Sequence, residues 1–276
     1  MNKLLRKSYL LLIVILSTTL VLVGCVTNKR EKIQQRVPLI KKEIKINEKN
    51  AKALNIGKPE DTRKDNGKLN TITKVENTSN FNTSNIYIHY DEFDKNKNVI
   101  FKSKSFLDVT LSPGEVAYID MYHQKYATSV LVTGYQYRVG GKIVIVNLNK
   151  DTIETKDKNI EVDNSKTYEA LAISDVKQVN ESKEGNAYTV KIKNILPKEL
   201  GNVVLKVAEL NESGEYIMIN HIPFYEVLKP SEEDNIDIIS SSKADKVEIV
   251  GYSYDNPDEK VKVSIDLKSN QVEINK

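Results

Sequence analysis

The sequence predicts an all-β protein in which one β-rich unit occurs twice in tandem. Apolar and polar residues alternate over short runs, as at Ile86, Ile88 and Tyr90, and this is the period of a half-buried strand. Turn-forming residues separate these runs, and almost no segment has helical periodicity. A third observation, a self-match at a fixed spacing, divides the chain into two copies.

The self-match appears when the chain is compared with itself at a spacing of 117 residues. Residues 53–137 align without a gap to residues 170–254, and 18 of the 85 aligned positions are identical. Leu111-x-Pro113-x-Glu115 and Gly134-Tyr135-x-Tyr137 both return in the second copy. Two copies of this length indicate two domains rather than a solenoid, which needs three or more shorter units.

Each copy is expected to contain about seven short strands. In the first copy they are expected near Ile56 and Val75, at 86–90, after a hairpin loop at 94–98, and at 115–121, 130–137 and 142–148. The turn Ser112-Pro113-Gly114 suits proline, which fixes φ and has no donor to lose. Seven strands in some 100 residues, without a Cys–Trp–Cys core, indicate a disulfide-free immunoglobulin-like sandwich.

Three features of the first copy carry a family resemblance. They are Asn77 after the first strong strand, the hairpin from Ile88-His89-Tyr90-Asp91-Glu92 to Asn98-Val99-Ile100, and the turn Leu111-x-Pro113-Gly114-Glu115. This pattern resembles the FxLYD-type module, an Ig-like domain of bacterial surface proteins. In the second copy, Val207-Ala208 replaces Tyr-Asp and Ser231 replaces the glycine. The resemblance implies a fold and brings no active-site residues with it.

Residues 1–24 are expected to be a lipoprotein signal peptide. A basic start precedes an apolar stretch of 15 residues from Tyr9 to Val23, which is short for a spanning helix. Leu22-Val23-Gly24-Cys25 resembles the bacterial lipobox, which implies cleavage before Cys25 and a diacylglycerol on its sulfur. The protein is therefore expected to be lipid-anchored on the extracytoplasmic face of the cell membrane. An uncleaved anchor with an incidental cysteine is the alternative.

Residues 25–50 are expected to be the lipidated cysteine and a basic tether. Residues 26–50 hold eight basic and three acidic side chains, a charge that anionic headgroups would attract. A lysine-rich solvated linker is the alternative. The two copies then occupy residues 51–156 and 168–276, as Ig-like repeats 1 and 2.

The sequence contains no signature of catalysis, of a metal or cofactor site, or of nucleic-acid binding. Without residues 1–24 the chain has 38 basic and 38 acidic residues, which does not fit a nucleic-acid binder. The three histidines are expected on the surface, because they align with lysine or serine: His89 with Lys206, His123 with Ser240 and His221 with Lys104.

Two acidic segments have structural interpretations. Asp94-x-Asn96-x-Asn98 imitates a calcium loop but lacks the glycine at position six and the glutamate at position twelve, so a hairpin tip is favoured. The acidic run at 232–237 is interpreted as a solvated strand edge that discourages further pairing.

Tyrosine is the residue type that suggests binding. The chain has 14 tyrosines and no tryptophan, and the repeated Gly-Tyr-x-Tyr pairs are interpreted as core. Tyr118, Tyr122 and Tyr126 are the candidate partner-binding residues, because the second copy has Asn235, Ile239 and Lys243 there. Core packing is expected to repeat, whereas a specialised contact need not.

These observations predict a non-enzymatic protein that binds another envelope protein or a cell-wall polymer. The alternative is a solute-binding lipoprotein that serves a transporter, although such proteins usually have α/β lobes. A hydrolase is a more distant alternative, because no nucleophile–base pattern is present.

Overall fold

The structure, a computed structural model, describes residues 44–62, 68–158, 167–182, 185–256 and 258–275. In these ranges it contains one four-residue helix, α1 (Glu48–Ala51), and 18 strands, so the all-β class is confirmed. No helix within them is both long enough and apolar enough to cross a bilayer. Cys25 lies outside the described residues.

Nine of these strands lie in each copy. Those of the first copy are β1 (Leu54–Ile56), β2 (Glu60–Asp61), β3 (Asn70–Asn77), β4 (Ser84–Phe93), β5 (Val99–Leu107), β6 (Val116–Tyr122), β7 (Ser129–Val139), β8 (Lys142–Asn147) and β9 (Thr152–Asp157). Those of the second are β10 (Leu171–Ile173), β11 (Lys177–Ser182), β12 (Gly185–Asn194), β13 (Gly201–Leu210), β14 (Tyr216–Phe224), β15 (Glu233–Ile239), β16 (Lys246–Asn256), β17 (Val261–Asp266) and β18 (Gln271–Asn275).

The strand bounds reproduce the spacing found in the sequence. β10, β13, β14, β15 and β16 begin and end 117 residues after β1, β4, β5, β6 and β7. β17 follows β8 at a spacing of 119, which reproduces the two-residue shift. Residues related by these spacings are called counterparts below.

The strands form three sheets among the described residues. A five-stranded sheet has the order β5-β4-β7-β8-β9, and a four-stranded sheet has the order β10-β12-β11, with β15 also paired to β12. The largest sheet runs β1-β3-β6-β14-β13-β16-β17-β18, with β2 on β3. It joins the two copies through a short parallel pairing of β6 with β14, in which Ala117 lies opposite Tyr216.

Two apolar clusters form the interior. The second cluster consists only of residues of the second copy. The first consists mainly of first-copy residues, and it also includes Ala208, Leu210, Tyr216 and Val250 of the second copy. Ile44 and Ile46 pack against the first cluster. The end of the segment that the sequence assigned to the tether is therefore part of the folded region.

The same buried polar contacts stabilise both copies. The Asn77 side-chain amide donates to the carbonyls of Phe81 and Leu111, at 2.8 Å each. Its counterpart Asn194 does the same with Lys198 at 2.7 Å and Leu228 at 2.9 Å. Each asparagine is fully buried and ties three chain segments together, because buried carbonyls need donors.

The Gly-Tyr-x-Tyr pairs are core, as the sequence predicts. All four tyrosines are buried, and the hydroxyls of Tyr137 and Tyr254 donate to counterpart backbone carbonyls, at 2.9 and 2.8 Å. A Cβ on Gly134 would lie 2.4 Å from the Val146 carbonyl oxygen, and one on Gly251 2.6 Å from that of Ile265. Close approach of the neighbouring strand therefore explains why both glycines recur.

Candidate partner-binding site

Tyr118 takes part in the contact between the copies. It lies on β6, beside the pairing with β14, and its hydroxyl donates to Glu215 Oε2 at 3.0 Å. Lys74 Nζ lies 3.0 Å from the other oxygen of Glu215. Hydrogen bonds from Asn211 and Lys74 lower the pKa of Glu215, which keeps it ionised at neutral pH. Tyr118 is thus a specialised contact, but its partner is the second copy.

Tyr122 and Tyr126 lie at the end of β6 and in the loop that follows it. Their side chains are 73% and 74% exposed, the surface position expected of a binding residue. Tyr122 is anchored through its backbone carbonyl, which accepts a hydrogen bond from the Tyr90 hydroxyl at 3.4 Å. Lys125 Nζ lies 5.7 Å from the centre of the Tyr126 ring, within the range of a cation–π contact.

His123 lies between these tyrosines and is buried, so the expectation that all three histidines are on the surface is wrong. Only 2% of it is exposed. Its Nε2 lies 2.8 Å from Thr71 Oγ1, while its Nδ1 lies 3.8 Å from Glu92 Oε1 and has no hydrogen-bond partner in the described part of the chain. Burial lowers the pKa of His123, against the opposing effect of the Glu92 carboxylate. Its counterpart Ser240 is also buried, which indicates that alignment with a small polar residue does not imply exposure.

Glu92 organises the loop that follows Tyr122 and carries Tyr126. It is fully buried, and it accepts hydrogen bonds from Gln124 N at 2.8 Å and from Ser103 Oγ at 2.5 Å. Its counterpart Glu209 accepts from Ser241 N at 3.1 Å and from Asn220 Nδ2 at 2.8 Å. Gln124 and Ser241 are counterparts, as are Ser103 and Asn220. Sequence reasoning missed this role, although the identity of Glu92 with Glu209 was a usable signal.

His221 and the acidic segments have ordinary partners. His221 is exposed, and its Nε2 lies 2.9 Å from Asp108 Oδ2. Asp94 closes the hairpin between β4 and β5, as predicted, by accepting from the amides of Asn96 and Asn98 at 2.8 and 2.9 Å. The acidic β15 pairs only with β12 among the described strands. Within the described ranges, no group of three or more His, Cys, Asp and Glu side chains is placed to bind a metal.

A set of polar contacts connects the two copies. Asp108 accepts from Lys206 Nζ at 2.6 Å and contacts His221. Burial opposes the ionisation of Asp108, but these contacts outweigh it and lower its pKa. Arg138 pairs with Glu273, and Lys268 pairs with Glu115.

None of these junction pairs recurs at counterpart positions. The counterparts of Arg138 and Glu273, for example, are Asp255 and Glu154, which have like charges. Sequence reasoning could not find the junction pairs, because a contact made once leaves no periodicity and no repeat.

A cleft of 620 Å³ opens beside this junction. Its lining includes Phe106, Asp108 and Thr110 of the first copy and Ser253, Lys262 and Ser264 of the second. The Thr110 hydroxyl donates to Asp266 Oδ2 at 2.7 Å. The three carboxylates in the lining, Asp108, Asp266 and Glu273, are all engaged in contacts within the protein.

Comparisons with known proteins give no family for this chain. No family model matches it, and no curated protein matches it. Among solved structures, it is similar to red sea bream transglutaminase, with 11% identity, a TM-score of 0.22 and coverage of 80% of this chain and 30% of that one. It is also similar to Bacteroides uniformis beta-glucuronidase 2 bound to an aziridine, with 11% identity, a TM-score of 0.20 and coverage of 74% and 25%. The chain spans less than a third of the length of these structures.

Proposed function

We propose that this chain is a lipid-anchored cell-envelope protein that binds a protein or cell-wall partner without catalysis. A diacylglycerol on Cys25 holds it on the extracytoplasmic face of the membrane, and residues 25–43 serve as its tether. The two copies act as Ig-like, FxLYD-like β-sandwich modules. The nearly all-β secondary structure and the recurring strand bounds support the two β modules of this proposal.

The exposure of Tyr122 and Tyr126 is the observation that carries the binding role. Tyr122 ends β6, and Tyr126 lies on the following loop, which the buried Glu92 ties down through Gln124 N, so the two rings offer apolar area at a low cost in conformational entropy. The second copy has the same buried glutamate but presents Ile239 and Lys243 instead. The tyrosines are therefore not required for folding, and their presence in one copy supports a dedicated contact.

Cross-linking on intact cells, followed by mass spectrometry, tests the binding role. Replacing Tyr122 by Ile and Tyr126 by Lys, the residues of the second copy, is expected to abolish recovery of the cross-linked partner. Tyr225→Ser is the matched control, because Tyr225 is 91% exposed on the second copy. Equal recovery of the partner with the double variant and with the control would contradict the proposal.

The anchor has a separate test. Cys25→Ser is expected to eliminate incorporation of radioactive fatty acid and partitioning into detergent, because a hydroxyl cannot form the thioether. A serine variant that still carries the label would show that the lipid assignment is wrong while leaving the binding role unaffected.

The cleft beside the junction supports the alternative of a solute-binding lipoprotein. Its 620 Å³ lies within the range of small-molecule sites. Thermal shifts with amino acids, sugars and short peptides distinguish the two functions. Stabilisation by one of these solutes that is lost in Ser264→Val, a change in the cleft lining, would favour the solute-binding function.

A further inference from the structure

The five-stranded sheet of the first copy, β5-β4-β7-β8-β9, has its counterpart in the segment β14-β13-β16-β17-β18 of the largest sheet, and the outer strands β5 and β14 have different neighbours. The outer edge of β14 pairs with β6 of the first copy at one position, Tyr216 opposite Ala117, and Tyr216 is only 3% exposed. β5 is the counterpart of β14, and among the described strands it pairs only with β4. Val99, the counterpart of Tyr216, is 48% exposed, and Phe101 is exposed beside it. The first copy therefore leaves open an edge that the second copy uses.

The sheet face beside the open edge is also uncovered and is basic. A hollow of 480 Å³ lies there, lined by Lys102, Lys104 and Lys150 together with Asn147 and Asn149. None of these lysines forms an ion pair with a described residue, and Asp91 is the one acid in the lining. Burial and the nearby Lys104 lower the pKa of His89, which also lines the hollow.

The counterpart face of the second copy has the opposite character. Asp91, Lys102 and Thr133 correspond to Ala208, Ile219 and Val250, which belong to or pack against the first apolar cluster. The first copy covers this apolar face of the second copy, whereas the counterpart face of the first copy is charged. The occupant of the first copy's edge must therefore differ in chemistry from an apolar module.

We propose that the outer edge of β5 adds an extended strand from a partner protein, whose side chains alternate between acidic and apolar. Backbone groups of β5 would pair with the strand, as those of β14 pair with β6. This inference rests on the proposed function, since it names the class of the partner.

The alternation follows from the two faces of β5. Lys104 lies over the Tyr87 ring on the outer face, at 4.9 Å from its centre, and Lys102 lines the hollow on the same face. Ser103 donates to the buried Glu92 and Phe101 lies opposite Glu92 in the pairing with β4, which places both residues on the inner side. Neighbouring strands match face to face, so acidic residues of an added strand would lie beside the lysines and apolar ones beside Phe101.

The probe for this proposal is a fluorescent peptide with the sequence of residues 233–239. It has Glu233 and Asp237 on one face and Ile236 and Ile238 on the other, which also carries Asp234 at its end. Binding to the full chain in detergent is followed by anisotropy, and the control peptide has every acid replaced by lysine. The acidic peptide is expected to bind about tenfold more tightly than the control, as charge-assisted contacts would give. The double variant Lys102→Glu, Lys104→Glu is expected to reverse this preference, whereas Lys229→Glu, Lys243→Glu on the second copy is not.

N-methylation identifies the strand pairing itself. Successive amides of a strand point to opposite edges, so methylating one alternate set blocks one edge only. One set of methylated peptides is expected to lose binding while the other retains it. Equal binding of the two methylated sets would overturn the proposal, and so would equal binding of the acidic and lysine peptides. Binding that polyphosphate inhibits but N-methylation does not affect would also overturn it.

The outcome of the peptide-binding experiment does not depend on the lipid anchor or on Tyr122 and Tyr126. If cellular cross-linking requires Tyr122 and Tyr126 but the peptides do not bind, strand addition is wrong and the proposed function stands. If the full chain sediments as a dimer that the Lys102→Glu, Lys104→Glu variant disperses, the occupant is a second copy, and the assignment to a different protein is wrong.

Discussion

The two copies fold through the same residues and are surrounded differently. Counterpart asparagines, glutamates and tyrosines make counterpart bonds in both, down to the backbone atoms that they contact. The residues that join the copies, such as Asp108 and Arg138, occur once. The comparison therefore separates side chains that hold a copy together from side chains that make contacts specific to one copy.

The two copies also differ in net charge. Residues 51–156 contain 15 basic and 12 acidic side chains, whereas residues 168–276 contain 13 basic and 20 acidic ones. The basic excess of the first copy includes the three lysines of the open hollow. Because surface charge controls association more than folding, this difference points to different partners for similar sandwiches.

The largest expected effect belongs to the repeated tyrosines. Tyr135→Ala and Tyr252→Ala each remove a buried ring and are expected to lower the free energy of unfolding by about 3–5 kcal/mol. Denaturant titration of the two variants measures these losses. If either variant unfolds like the wild type, that tyrosine does not hold its copy together.

The repeated asparagines are expected to matter slightly less. Asn77→Ala and Asn194→Ala each remove the two hydrogen bonds that the buried side-chain amide donates to backbone carbonyls, at a cost of roughly 3 kcal/mol per variant. Thermal melts should show similar losses for the two. A loss confined to one variant would mean that the counterpart bonds are not equivalent in energy.

The buried His123 is expected to make the first copy sensitive to acid. Its pKa is lowered by folding, so below its ordinary value of about 6.5 the unfolded state binds more protons, and stability falls as pH falls. His123→Ser, which installs the residue of the second copy, is expected to lose less stability than the wild type between pH 7 and pH 5. Identical pH profiles would show that His123 does not control the acid response.

The smallest effect on folding is expected at the exposed tyrosines. Replacing Tyr122 by Ile and Tyr126 by Lys should change the free energy of unfolding by about 0.5 kcal/mol or less, because both side chains are largely exposed. A melt of the double variant checks this. A variant that melts far below the wild type would show that these residues are part of the fold, which would remove the basis for assigning them to a partner.

The sequence predicted what depends on periodicity and repetition. Alternation at Ile86, Ile88 and Tyr90 identified a strand whose inner residues are all buried, and the spacing of 117 identified the counterpart strands. The candidate site was harder to predict from the sequence. Non-repetition singled out Tyr118 together with Tyr122 and Tyr126, but it could not distinguish a contact with the second copy from exposure to a partner. That distinction depends on the β6–β14 pairing, which joins residues 99 positions apart in the chain.

Fragment unfolding tests the central claim most directly, namely that repeated residues fold each copy while single-copy residues join them. The second apolar cluster lies wholly within the second copy, whereas the first includes four buried residues of the second. Residues 168–276 alone are therefore expected to melt cooperatively, and residues 44–158 alone are expected to melt at a lower temperature than they do in the intact chain. A random-coil spectrum from 168–276, or a first-copy fragment as stable as in the intact chain, would contradict this account.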